Sequence, residues 1–249
     1  MHDLATTVLG VRLPLPVMNA PGLFGTPREL SLLLESRTGA IVLPTATVHP
    51  FVHAQFRSLH NPGFDKLTPL VRQLVERAER RPVVASIAGG TADEYGHLAR
   101  AFAEAGAALI EANLADPWVA ATLAPYENRG ALTAIAQVLA ASPVPVLVRL
   151  AESAMRHYAA IADVLRTAGV RGVVARNEFK GFEKFLLEAA GDFDVVVVGN
   201  VASGYDVLRA LAKGVKAVQV DGAPEGTRVF ARLEHEMRQA KGERSGSAG

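Results

Sequence analysis

The feature that most constrains this chain is an alternation: short runs rich in Val, Ile and Leu are followed repeatedly by longer amphipathic stretches. The short runs fall at residues 16–20, 40–46, 82–88, 108–114, 145–150, 172–176, 194–199 and 217–221. Helical periodicity occupies 27–37, 66–80, 91–105, 126–141, 154–168, 181–190, 204–213 and 225–241. Strands that are each followed by a helix pair in parallel, because the crossover helix brings the chain back in the same direction. Gly39, Gly106, Pro143 and Gly169 stop helices just before new strands, as short connections require. Eight such units in 249 residues match the size of a closed (β/α)8 TIM barrel, whereas an open doubly wound sheet uses fewer strands. The expectation is an α/β single-domain barrel over residues 1–241, with 242–249 as a disordered polar tail.

Composition narrows the partners. Lys and Arg number 26 against 25 Asp and Glu, so a net charge of +1 offers no basic field for nucleic acid. The chain has no cysteine, which removes disulfides, thiolate nucleophiles and cysteine-held metals, and leaves any redox role to a borrowed cofactor. No apolar run approaches the roughly 20 residues of a membrane span, and Met1-His2-Asp3-Leu4 lacks the pattern of a secretory signal. A cytoplasmic protein that binds neither nucleic acid nor membrane is expected.

In a parallel barrel, chemistry sits where strands end, because the following loops gather at one mouth. Those ends supply Asn19, Ala20 and Gly22; Thr45; Ser86; Glu111, Asn113 and Asp116; Arg149; Asn177; Gly199 and Asn200; and Asp221 and Gly222. Glu111 and Arg149 interrupt apolar strands, so an ion pair or a ligand must satisfy them. Asp116 precedes Pro117 and Trp118, either opening a turn or standing desolvated as a general base. Trp118 either covers a ligand ring or packs on the rim. His49, His53 and His60 share one loop, but their spacing matches no ligand motif and no metal is expected. His97, His157 and His235 fall on helices as surface or packing residues.

Several strand ends in this order resemble the FMN-dependent dihydroorotate dehydrogenase family. Pro16-Val17-Met18-Asn19-Ala20-Pro21-Gly22 is similar to its opening strand, and Ser86-Ile87-Ala88-Gly89-Gly90-Thr91 to its third. Glu111-Ala112-Asn113-Leu114-Ala115-Asp116-Pro117 stands where the family writes Glu-Leu-Asn-Leu-Ser-Cys-Pro. Val198-Gly199-Asn200-Val201-Ala202-Ser203-Gly204 resembles its seventh strand and phosphate loop, and Val218-Gln219-Val220-Asp221-Gly222 its eighth.

The resemblance implies FMN across the mouth, held by Ala20, Gly22, Thr45, Ser86, Arg149, Gly199, Asn200, Gly204, Asp221 and Gly222. It implies substrate contacts from Asn19, His60, Asn113 and Asn177. The departures fall in the chemistry: Pro44 replaces the family's lysine after strand two, Arg149 replaces that of strand five, and the Cys or Ser base is missing. Asp116 is left for the base and Arg149 for charge, making both the expected catalytic residues. The segment after strand six shrinks to Glu178-Phe179-Lys180-Gly181-Phe182, and Asp221 brings a negative charge to the phosphate end.

The implied function is a divergent flavin oxidoreductase for a small anionic or amidic substrate, with a homodimer as the expected assembly. Two other classes remain open. One is a non-flavin lyase or isomerase that uses Asp116, Glu111 and Arg149 on a small anion. The other is a non-catalytic paralogue acting as a binding or partner subunit.

Overall fold

The computed structural model describes residues 3–50, 62–177, 181–199 and 201–242. A short antiparallel hairpin, β1 (Thr6–Val8) and β2 (Val11–Leu13), precedes the barrel. The barrel strands are β3 (Val17–Asn19), β4 (Ile41–Val42), β5 (Val83–Ile87), β6 (Leu109–Asn113), β7 (Val146–Arg149), β8 (Gly172–Arg176), β9 (Asp194–Gly199) and β10 (Ala217–Val220). Around them lie α1 (Pro27–Glu35), α2 (Phe64–Arg77), α3 (Ala92–Glu104), α4 (Pro117–Leu123), α5 (Arg129–Ala140), α6 (Tyr158–Ala168), α7 (Phe182–Ala189), α8 (Gly204–Ala212) and α9 (Arg228–Gly242). The strands are ordered β3-β10-β9-β8-β7-β6-β5-β4 and every pairing in this sheet is parallel. This is the expected (β/α)8 barrel.

Three elements depart from the sequence reading. The hairpin was not foreseen; its buried Val8 and Leu13 join Val84, Leu109, Leu147, Val174, Val196 and Ala217 in one cluster, so it plugs the barrel. A helix appears at α4 because Asp116 caps it and Pro117 occupies its first turn, where a missing N–H costs nothing. The stretch expected to be helical from 154 begins instead as a 3-10 segment, Glu152–His157, and becomes α-helical at Tyr158. The last helix reaches Gly242, and residues 243–249 lie outside the described residues.

The ladder joins every neighbouring pair except β3 and β4, and a side chain closes that seam. Asn19 Nδ2 donates to Val42 O at 2.6 Å while Asn19 Oδ1 accepts from Val42 N at 3.0 Å, so its amide replaces a missing strand edge. Below it, Gly39 N donates to Val17 O at 2.7 Å. A Cβ on Gly39 would stand 1.8 Å from Leu15 O, so only glycine admits this approach. Asn19→Ala strands a buried N–H and a buried C=O, and is expected to lower unfolding free energy by about 2–3 kcal/mol. Urea denaturation measures this; a loss within experimental error would mean that the seam closes without the amide.

Two caps show how sequence sets the helices. Thr26 and Glu29 form a reciprocal capping box on α1 with Pro27 just inside it, and Ser203 with Asp206 repeats the device on α8. The C-terminal carbonyls of α1 are held across space: Arg81 donates to Leu33 O, Leu34 O and Ser36 O. Among the described residues, no helix is long and apolar enough to cross a membrane.

Candidate functional site

Alternation along the strands decides which side chains reach the barrel axis. Leu109 and Leu147 lie in the interior cluster, so Glu111 and Asn113 on β6 and Arg149 on β7 face the same way. The same parity aims Ser86, Arg176 and Gln219 inward, from β5, β8 and β10. The interior therefore changes from apolar near the hairpin to polar toward the carboxyl rim.

The polar layer is closely bonded. Arg149 Nη1 donates to Glu111 Oε1 at 3.2 Å, and Gln219 Nε2 reaches across the barrel to donate to Glu111 Oε2. Glu111 is fully buried and the Arg149 side chain is 14% exposed, so this is an interior ion pair open toward the mouth. Gln219 Oε1 is buried without a hydrogen-bond partner. Beside this group, Asn113 Nδ2 donates to Thr45 Oγ1 at 3.1 Å, and Thr45 and Ser86 hydroxyls share a 2.8 Å hydrogen bond.

Above this layer opens a cavity of about 290 Å³, near the lower limit of ordinary ligand pockets, which begin at about 300 Å³. Its walls include Pro21, Gly22, Thr45, Thr47, Asn113, Asp116, Trp118, Arg149, Glu152 and Arg176. The loops are braced by Tyr126, whose hydroxyl donates to Leu114 O at 3.1 Å and accepts from Ala151 N at 2.9 Å. Burial pushes that phenol well above its ordinary range, despite the opposing Ala151 N–H, so it holds the loops as a neutral group. Trp118 lies against the Gly89-Gly90 loop: a Cβ on Gly90 would sit 3.3 Å from its ring. It thus both packs on the rim and faces the cavity.

The residues singled out from sequence divide clearly. Gly22, Thr45, Asn113, Asp116 and Arg149 meet in this cavity. Ser86 is fully buried and supports Thr45 from below, and Ala20, 2% exposed, belongs to the interior cluster. Asn19 is spent on the seam rather than aimed at a substrate. Asn177 has the opposite parity to Arg176 and lines a separate cavity with Phe182 and Asp206, outside the barrel mouth. His60 and Asn200 lie outside the described residues. His97 makes an edge-on contact with Phe64, and among the described residues no group of three His, Asp or Glu gathers to hold a metal.

At the expected phosphate end, Gly204 has a different task. Its N–H donates to Glu236 Oε2 at 2.6 Å, and a Cβ there would stand 2.6 Å from Met237 N, so it is glycine because α8 and α9 touch. Burial pushes the Glu236 carboxyl up, but the Gly204 N–H and the Arg232 guanidinium outweigh it and hold the group below the usual carboxylate range. Gly199 and Gly222 remain at the ends of β9 and β10. The sequence reading missed Arg176 at the end of β8, which donates from Nη2 to Asp221 Oδ2 at 2.6 Å. The repulsion expected between Asp221 and a phosphate is thereby offset. The legible signal was parity: in Gly172-Val173-Val174-Ala175-Arg176, Arg176 shares its side with interior Val174.

Fold and site together define a (β/α)8-barrel protein with a polar cavity at the carboxyl rim. Comparison with known proteins gives the family: the dihydroorotate dehydrogenase family model matches residues 57–189. A provisionally named dihydroorotate dehydrogenase A (fumarate) of Aeropyrum pernix is 29% identical, over 89% of this chain and 86% of the relative. The catalytic subunit of a dihydroorotate dehydrogenase B (NAD(+)) of Desulforudis audaxviator is 32% identical over 59% of this chain and 53% of its own length. The corresponding subunit of Geobacillus kaustophilus is 29% identical over 73% and 63%. The chain belongs to the dihydroorotate dehydrogenase family.

Proposed function

We propose that this chain is a flavin oxidoreductase of the dihydroorotate dehydrogenase type, taking FMN and a small anionic or amidic substrate at the barrel mouth. The observation that carries the reading is the convergence of Gly22, Thr45, Asn113, Asp116 and Arg149 on one cavity at the carboxyl rim of a barrel of this family. The residues fit the cofactor. Arg149 uses one guanidinium N–H on Glu111 and keeps its other donors for an acceptor in the cavity. Arg176 offsets Asp221 near Gly199 and Gly222.

When bound, FMN would supply the hydride acceptor, a role that amino-acid side chains do not fill. The protein does the rest. Arg149, Thr45 and Gly22 hold the ring end, with Ser86 fixing Thr45 beneath it, and Gly199, Asn200 and Gly222 hold the phosphate end. Asn113, whose Oδ1 already accepts from Ala115 N at 3.1 Å, orients the substrate from a fixed rotamer. His60 contributes a further substrate contact. Asp116 uses Oδ1 to accept from Trp118 N at 2.9 Å, and Oδ2 takes the proton leaving the substrate carbon. Trp118 narrows the entrance and keeps water from the reacting atoms. A cytoplasmic homodimer without a nucleic-acid partner belongs to the same proposal.

The test is a visible absorption spectrum of freshly purified protein, before and after incubation with FMN and removal of the excess. Retained flavin bands support the reading. A colourless protein after loading contradicts it, and thermal stabilisation by small anions alone would then favour the non-flavin barrel enzyme.

A further inference from the structure

Arg176 presents a geometry that the residues assigned above do not use. It stands on β8 two residues beyond Val174, the register partner of Arg149 on β7, so two guanidiniums face one cavity a layer apart. The deeper one is locked from below by fully buried Glu111. The outer one is held sideways by Asp221, which lies past the end of β10 and does not line the cavity. That outer pair is accessible, with side-chain exposures of 40% for Arg176 and 25% for Asp221. An ion pair exposed to this degree contributes little to stability and is readily exchanged for another oxyanion. A planar guanidinium gains most from an anion that meets two of its N–H groups at once. Asp116 and Glu152 also face the cavity, so an anionic group is admitted only where the arginines stand.

We propose that Arg176 is an exchangeable oxyanion clamp: Asp221 occupies it until a ligand's phosphate or carboxylate replaces that carboxylate. The inference rests on reading the mouth as a ligand site, and it assigns anion selectivity to a side chain on β8 rather than to backbone amides alone.

FMN and riboflavin differ only in the phosphate, so binding of each is measured by quenching of flavin fluorescence in wild type, Arg176→Gln and Asp221→Asn. Wild type is expected to prefer FMN at least about tenfold, one guanidinium-oxyanion contact corresponding to this order. Arg176→Gln is expected to lower the ratio about tenfold without changing riboflavin binding. Asp221→Asn, which removes the competing carboxylate, is expected to tighten FMN several-fold. An unchanged ratio in Arg176→Gln, or equal weakening of both flavins, overturns the clamp.

If neither flavin binds wild type, the flavin reading fails by itself, and the clamp is decided by thermal shift with inorganic phosphate and with dihydroorotate, a carboxylate. Stabilisation of wild type but not of folded Arg176→Gln sustains it, and the probe that stabilises identifies the anion. No shift in wild type, or an equal shift in both, overturns it.

Discussion

Asp116→Asn is expected to slow reduction of bound FMN by substrate about 100- to 10,000-fold, the usual contribution of a positioned general base, while the protein keeps its flavin and its melting temperature. The substitution separates two roles carried by one carboxylate. Asp116 caps α4 by accepting from Trp118 N, and asparagine serves that position equally well. The amide oxygen still caps the helix, but the group can no longer accept the proton. Asp116→Ala loses both roles and is expected to be less stable as well, by about 1 kcal/mol. Anaerobic stopped-flow reduction of the flavin measures the first effect and thermal unfolding the second. Reduction at the wild-type rate in Asp116→Asn would remove Asp116 as the base and leave it a helix cap.

The second large effect is on stability. Arg149→Met removes the ion-pair partner, the only one among the described residues, of a carboxylate with no solvent exposure, and is expected to cost about 3–5 kcal/mol in urea unfolding. The donor from Gln219 remains, but a hydrogen bond does not replace a counter-charge. Replacing both members, Glu111→Leu with Arg149→Met, is expected to recover most of the loss, because the interior then contains no unpaired charge. The double variant should fold well and bind no flavin, since the ring end has lost its guanidinium. A single variant as stable as wild type, or a double variant no better than the single, would show that the pair does not govern the interior.

Much of the fold was legible because strand and helix periods differ so sharply. Eight parallel strands with their helices follow from where Val-rich runs alternate with amphipathic stretches, and the helix stops at Gly39, Gly106, Pro143 and Gly169 stand just before strands. The hairpin escaped because Thr6-Thr7-Val8 and Val11-Arg12-Leu13 are too short to carry a period, and Leu9-Gly10 is a weak turn signal.

The site was half legible, and parity separates the two halves. Asn113 and Arg149 share sides with interior Leu109 and Leu147, and they reach the cavity. Asn19 lies between interior Met18 and Ala20, and Asn177 follows inward Arg176, so both point away from the axis. The chemistry of each asparagine was readable from its identity; its direction depended on which neighbours were inside. Gly204 illustrates another limit: a glycine before a helix reads as a phosphate loop, and only the contact with Met237 shows that it serves packing.

The most direct test of the central claim is hydrogen exchange of the backbone amides with and without FMN. Protection is expected at Gly22, Thr45, Asn113 to Ala115, and Leu150 to Ala151, all at the carboxyl rim. Protection confined to the outer cavity beside Asn177, or at the hairpin end of the barrel, would contradict it.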